Sequence, residues 1–331
     1  MKTASVLSFT DAGEALARRI AAALEGEYET ELLRPAGRLM ESVSERFHRR
    51  DALIFVGACG IAVRAVAPHA AAKTSDPAVV VADERGSFVI SLLSGHMGGA
   101  NDLARRLAAS LGAVPVITTA TDVNGRFSVD SWAKKQGLVI DSMATAKRFS
   151  AAILRGDLPV CSDLPLEGAL PPGLYAGDEG ELGVCVSWRE RRPFGETLLL
   201  IPRVLHLGIG CRRGTEASDI RAAVDRVFAE NGLRPEAVRA VASIDVKSDE
   251  AGLLAFAASL GAETEFYSAE ELRAVPGDFT PSEFVKQTVG VDNVCERAAV
   301  KSAGGKLIVK KTGGGGVTVA VAAEDRRIRF E

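Results

Sequence analysis

From the first residue to about residue 125, short apolar runs alternate with stretches whose apolar positions recur every three or four residues. Residues 4–9, Tyr28–Leu33, Ala52–Val56, Ala78–Ala82, Phe88–Leu93 and 114–118 read as strands. Ala52–Val56 and Ala78–Ala82 contain no polar residue, as expected of parallel strands covered on both faces. Residues 13–24 predict an Ala-rich amphipathic helix. Residues 101–111 predict another, with Leu103, Leu107 and Leu111 on one face and Asn101 and Asp102 suited to its start. This alternation predicts an α/β domain over residues 1–127, an open, mostly parallel sheet with flanking helices.

The pattern then changes. Helices over 128–135 and 143–154 precede a Pro/Gly-rich stretch, 158–173, and two strands at 182–188 and 198–201. Residues 128–202 are therefore read as a small central linking domain. A second, C-terminal α/β domain over 203–331 opens with a strand at 204–209 and a Gly/Arg loop. Helix 216–231 follows, with Ile220, Val224, Val227 and Phe228 on one side and Gly232 as its cap. Strands at 240–244 and Glu263–Tyr267 and helices at 250–260, 281–288 and 294–303 come next. Residues 306–310 and 317–322, joined by a run of glycines, have hairpin spacing.

Composition narrows the classes of function. In 331 residues the net charge is -3, so no general basic field invites nucleic acid. Any anionic ligand must be held by local cations and backbone N–H groups. The five cysteines are scattered, with no CxxC pair, which argues against a disulfide framework or a Cys-rich zinc site. No apolar run reaches the ~18 residues a membrane span needs, and the first residues read as a strand rather than a leader. A cytoplasmic protein with free thiols is expected.

Ligands of open α/β sheets collect at the carboxyl ends of strands. Turns expected there lie at 57–60, 94–101, 118–122, 208–215 and 243–247. The turn Ser94-Gly95-His96-Met97-Gly98-Gly99-Ala100-Asn101 is the most informative. Its glycines allow close approach of a ligand to the backbone, and the next helix offers unpaired N–H groups. His96 is its one residue able to pass protons near neutral pH. A tight strand-to-helix turn with His96 bonded to a carbonyl is the competing reading. The loop from Gly208 through Gly210, Arg212, Arg213 and Gly214 to Thr215 resembles a phosphate loop but fails the dinucleotide spacing by one residue. Asp245, Lys247 and Glu250 follow a strand, where they suit either acid/base work or capping of the next helix.

Several of these segments, taken in order, resemble the CbiG family of cobalamin-biosynthesis proteins. They are Val56 through Gly57, Gly60 and Arg64, then 76–80, 93–101 and 118–122, and beyond the centre 208–215, 242–247, 282–285, 288–291 and 294–296. The resemblance implies hydrolysis of cobalt-precorrin-5A. The lactone tying the ring A acetate to C20 opens, and the C20 unit leaves as acetaldehyde to give cobalt-precorrin-5B. It also implies no cofactor, since the cobalt travels in the substrate, and neighbouring corrin-pathway enzymes as partners. For this chemistry His96 is the candidate base, with Asp122, Asp245 and Glu216 as the other candidates. The Gly98 and Gly99 amides would meet the oxyanion, and Arg64, Lys73, Arg212, Arg213 and Lys247 would clamp carboxylates. A non-catalytic precorrin carrier is the alternative.

Overall fold

The two all-apolar runs lie side by side in the middle of a six-stranded sheet, which is why neither alternates. In the computed structural model, which describes residues 1–72 and 75–330, the chain divides into two units, Met1–Lys134 and Lys135–Glu331. The first unit contains β1 (Lys2–Ser8), α1 (Asp11–Ala23), β2 (Tyr28–Leu33), α2 (Leu39–Ser44), β3 (Ala52–Val56) and α3 (Cys59–Val66). β4 (Ala78–Ala82), β5 (Phe88–Leu93), α4 (Ala100–Leu111), β6 (Val114–Val116), α5 (Ala120–Val123) and α6 (Val129–Lys135) follow. The strand order is β2-β1-β3-β4-β5-β6, so the expected α/β class and open sheet hold.

Period-two exposure splits the core in two. Ile54 and Val80 face Leu16 and Ile20 of α1 and Leu103 and Leu107 of α4. Leu53, Phe55, Val79 and Val81 face Val43 of α2, Phe47, and Ala62 and Ala65 of α3. Fully burying each Leu or Phe contributes about 1.5–3 kcal/mol. All strand pairs in this sheet are parallel except one. β5 runs antiparallel to β4, with Val81 opposite Ile90, and β6 then runs parallel to β5.

The second unit has two principal sheets. β7 (Leu138–Ile140), α7 (Met143–Ala152), β8 (Leu158–Ser162), β9 (Leu166–Glu167), β10 (Leu174–Ala176), β11 (Leu182–Val186) and β12 (Glu196–Pro202) come first. Their five-stranded sheet has the order β10-β8-β11-β12-β7. The Pro/Gly-rich reading of 158–173 thus concealed β8, which pairs with strands on both sides and buries Val160.

The rest holds β13 (Leu205–Cys211), α8 (Ala217–Asn231), β14 (Val238–Ile244), α9 (Ala251–Ser259), β15 (Glu263–Tyr267), α10 (Ala269–Arg273), α11 (Glu283–Val289) and α12 (Cys295–Ala303). It closes with β16 (Lys306–Gly314), β17 (Val317–Ala323) and β18 (Ile328–Arg329). The order is β15-β14-β13-β17-β16, three parallel strands extended by an antiparallel hairpin. Gly315 and Gly316, at φ +63° and +88°, form the hairpin tip, a conformation that suits glycine. α12 lies directly on β13 at Gly208, where a side chain would collide with the Cys295 carbonyl.

Candidate functional site

The turn between β5 and α4 is built under strain. Ser94 has φ +57°, a left-handed conformation that costs a non-glycine residue about 1–3 kcal/mol. Gly98 packs under Ser94 so closely that a Cβ would lie 2.7 Å from the Ser94 carbonyl oxygen and 3.2 Å from the Ala78 nitrogen. The Ala100 N–H donates to the Ser94 carbonyl at 3.2 Å and the Asn101 N–H to Gly95 at 3.0 Å. Of the two amides expected at an oxyanion, Gly99's donates to the His96 carbonyl at 3.1 Å. The Gly98 amide has no such bond among the described residues. Ser94 Oγ and Asn101 Oδ1 are buried without a hydrogen-bond partner.

This strain and packing hold His96 against Asp122. His96 Nε2 lies 2.8 Å from Asp122 Oδ2 and 3.3 Å from Thr121 Oγ1. Asp122 Oδ2 also accepts from Asn101 Nδ2 at 3.0 Å and Thr119 Oγ1 at 2.5 Å, and Oδ1 accepts from Arg105. Burial alone would raise the Asp122 pKa, but the bonds from Thr119, Arg105 and His96 outweigh it and hold the carboxyl at about 2. Asp122 is therefore an anion at neutral pH and can only accept. The Nε2 facing it therefore carries a proton, and in the neutral ring the lone pair sits on Nδ1. From α6, the Lys134 ammonium donates to the Met97 carbonyl at 2.5 Å. Thr119 lay within an expected turn without being singled out, and Arg105 was not among the expected site residues. Arg105 lies one helical turn beyond Asn101, a spacing that puts both on one face of α4.

Strand direction decides which expected residues join this pair. β5 and β6 run the same way, so the turns after them meet at one edge. β3 and β4 run the other way, which puts Gly57, Gly60 and Arg64 at the opposite edge of the sheet. The structure does not bring those three to His96, and Arg64 folds back onto the Gly60 carbonyl at 3.3 Å. Lys73 lies outside the described residues.

The second unit gathers a different set. A cavity of about 590 Å³ opens where β13 and β14 end, lined by Gly210, Arg212, Arg213 and Lys247 as expected, and also by Lys311. Its apolar lining includes Ile244, Val246, Val285 and Val289 of α11, Val294 and Val317. Lys247 is paired at 3.1 Å with the buried Glu250, which also accepts the Gly214 N–H at 2.7 Å. Burial works to raise the Glu250 pKa, but the Lys247 and Gly214 bonds win and lower it. Arg213 is tied to Asp249 at 2.6 Å on the open surface. Arg212 and Lys311 have no carboxylate partner among the described residues, so their charges are available to a ligand. Thr215 Oγ1 donates to the Arg212 carbonyl at 2.8 Å and shapes the loop. Asp245 and Glu216 are exposed and do not line the cavity. Among the described residues no group of three or more His, Cys, Asp or Glu is placed to hold a metal ion. Nor is any helix long and apolar enough to cross a membrane.

Comparison with known proteins accounts for most of the chain. Residues 41–122 match the family described as Cobalamin synthesis G N-terminal, 127–202 the Cobalamin biosynthesis central region, and 205–322 the Cobalamin synthesis G C-terminus. The chain is 36% identical over 338 residues to the cobalt-precorrin-5A hydrolase of Salmonella typhimurium, covering 96% of each chain. It is 35% identical over 299 residues to that of Priestia megaterium, covering 83% of this chain and 79% of the relative. A portion amounting to 36% of this chain is 37% identical over 121 residues to the protein CobE of a Sinorhizobium species, covering 79% of it. With its three parts matched in order and two relatives aligned over most of their length, the chain belongs to the CbiG family of cobalamin biosynthesis.

Proposed function

We infer that this chain is a cobalt-precorrin-5A hydrolase acting in cobalamin biosynthesis. The observation that carries the reading is the match, over 96% of both chains, to a relative of that name. The geometry adds what the reaction asks of a protein. His96 Nδ1 accepts the proton of a water attacking the lactone carbonyl, while Asp122 holds the ring and balances the imidazolium that forms. This makes Asp122 the partner of the base rather than a rival to it. The carboxylate of ring A is freed, and C20 is left bearing a hydroxyl. Loss of that hydroxyl proton then breaks the bond from C20 to the ring, and acetaldehyde departs. The electron pair passes into the substrate's own cobalt-bearing macrocycle, so the reading asks for no added cofactor.

The cavity of the second unit suits the edge of such a substrate. Its apolar walls match the macrocycle, and Arg212 and Lys311 match the carboxylates around it. We place the reaction in the cytoplasm, with neighbouring corrin-pathway enzymes supplying substrate and taking product. The test is incubation of the protein with cobalt-precorrin-5A under anaerobic conditions, with acetaldehyde trapped as a hydrazone and the corrinoid weighed by mass spectrometry. Acetaldehyde in step with the mass loss is expected. Binding of the corrinoid with no change in mass would mark a carrier and overturn the reading.

A further inference from the structure

A base and one orienting carboxylate would suffice for the chemistry above, yet Asp122 is held by more than His96. Asn101 and Arg105, one turn apart on α4, reach it from one side, and Thr119 reaches it from just before α5. Oδ2 is occupied by His96, Asn101 and Thr119, while Oδ1 is left to Arg105. Arg105 also bonds Asp102 at 3.2 Å, so its guanidinium is held in place from two directions. The charged groups near His96 include Asp122 from α5, Arg105 and Asp102 from α4, and Lys134 from α6. Asn101 and Thr119 fix the carboxylate's position, but Arg105 alone among its partners brings a permanent charge.

We propose that Arg105 is a positioning residue of the hydrolase site, acting through Asp122 to set how readily His96 takes up a proton. The proposal rests on the reading of His96 as the base. Two opposed fields act on the imidazole. The Asp122 anion favours its protonated form, and the Arg105 cation, bonded to the far oxygen of the same carboxylate, offsets part of that pull. A base must be neutral to accept a proton, so the Arg105 charge keeps His96 available to lower pH. Removing the charge while keeping a donor, as in Arg105→Gln, leaves the full pull of Asp122 on the imidazolium. The acid limb of the rate profile then moves up. A charge one carboxylate away, in surroundings between protein and water, is worth roughly half a pH unit. Because the Arg105 side chain is 46% exposed, salt screens this effect.

The experiment compares wild type, Arg105→Gln and Arg105→Lys. One readout is kcat/KM against pH at low and high salt. The second is the titration of the His96 ring by NMR, read even in a variant that has lost turnover. The chain has only four histidines, so a His96→Gln spectrum assigns the resonance. Arg105→Gln is expected to raise the His96 midpoint and the acid limb together by roughly half a unit at low salt, shrinking in high salt. Arg105→Lys is expected to keep both near wild type. A purely structural Arg105 would lower stability without moving the midpoint. An unmoved His96 midpoint in a folded Arg105→Gln protein overturns the proposal and leaves the base reading intact. Wild-type turnover by His96→Gln overturns the base reading itself.

Discussion

Replacing Asp122 by Asn keeps the outline of the side chain and removes its charge, so the variant isolates what that charge contributes to the fold. The carboxyl is held at about 2, against roughly 3.9 for an unperturbed aspartate, and each unit of difference is about 1.4 kcal/mol. The ionised side chain therefore stabilises the folded unit by about 2.5 kcal/mol, with little discount because it is only 15% exposed. A depressed carboxyl contributes fully above its unfolded value and loses that contribution as pH falls through its folded one. The benefit is thus complete above about pH 5, halved near pH 3, and gone below about pH 2. Asn also turns an acceptor into a donor on one side, facing either Arg105 or the Asn101, Thr119 and His96 group. Urea unfolding followed by the fluorescence of Trp132, buried on α6, reports on this unit. Trp188→Phe removes the second signal, and since its indole nitrogen is already unpartnered, no bond is lost. In that background Asp122→Asn is expected to lower stability by about 2–3 kcal/mol at pH 7 and by about half as much near pH 3. A loss under about 0.5 kcal/mol at pH 7, or one equally large at pH 3, would refute the reasoning.

Gly98→Ala forces a Cβ against Ser94 and should cost about 1–3 kcal/mol in the first unit while displacing His96. Turnover is expected to fall more than about tenfold with the corrinoid affinity nearly unchanged, checked by steady-state kinetics. Glu296 is fully buried and accepts from the Thr280 N–H at 2.7 Å, the Asn293 side chain at 2.9 Å and the Lys311 N–H at 2.6 Å. Glu296→Ala strands those donors and should destabilise the second unit by about 3–5 kcal/mol, read from Trp188 fluorescence. Arg212→Gln combined with Lys311→Gln removes the two unpaired cations of the cavity. The KM is expected to rise about tenfold or more with kcat little changed, and its salt dependence to flatten.

How much of this was legible in the sequence depends on what holds each piece. Strands of unbroken apolar character, such as Ala52–Val56 and Ala78–Ala82, were bounded to the residue because burial on both faces leaves no alternative pattern. Helix α4 was equally plain from its Leu stripe. The six residues of α2 and the eight of α3 were not read, since so short a helix shows little periodicity and owes its stability to packing on the sheet. In the second unit the loop cations Arg212, Arg213 and Lys247 converge as expected. Two of them are already paired, however, and Lys311 joins them from a hairpin 64 or more residues away in sequence, through the pairing of β16 and β17 with β13. Glu250 was visible as one of three charged residues after β14. Only the buried end of that group, facing the Gly214 amide, distinguishes it from the exposed Asp245.

The grouping of Gly57, Gly60 and Arg64 with the His96 turn fails for a reason the sequence did contain. The three candidate turns of the first unit follow strands, and in a wholly parallel sheet they would share one edge. Between β4 and β5, however, there are only Asp83, Glu84, Arg85, Gly86 and Ser87. A parallel crossover needs a dozen or more residues, so a connection this short permits only an antiparallel return. The Asp83 side chain closes it by accepting the Phe88 N–H at 2.6 Å, and Gly86 supplies the left-handed residue at φ +67°. Once β5 is reversed, its carboxyl end must lie beside the start of β4, which is where Gly98 meets Ala78. The next strand, β6, follows α4 and is parallel to β5, so Asp122 must come to the same edge as His96. The short loop therefore separates His96 from the Gly57 turn, and the crossover through α4 delivers its carboxylate. Lengthening that loop should be tolerated only while it still closes as a hairpin. A change that let β5 pair parallel with β4, with β6 still following through α4, would carry the His96–Asp122 pair to the edge of the Gly57 turn without touching either residue.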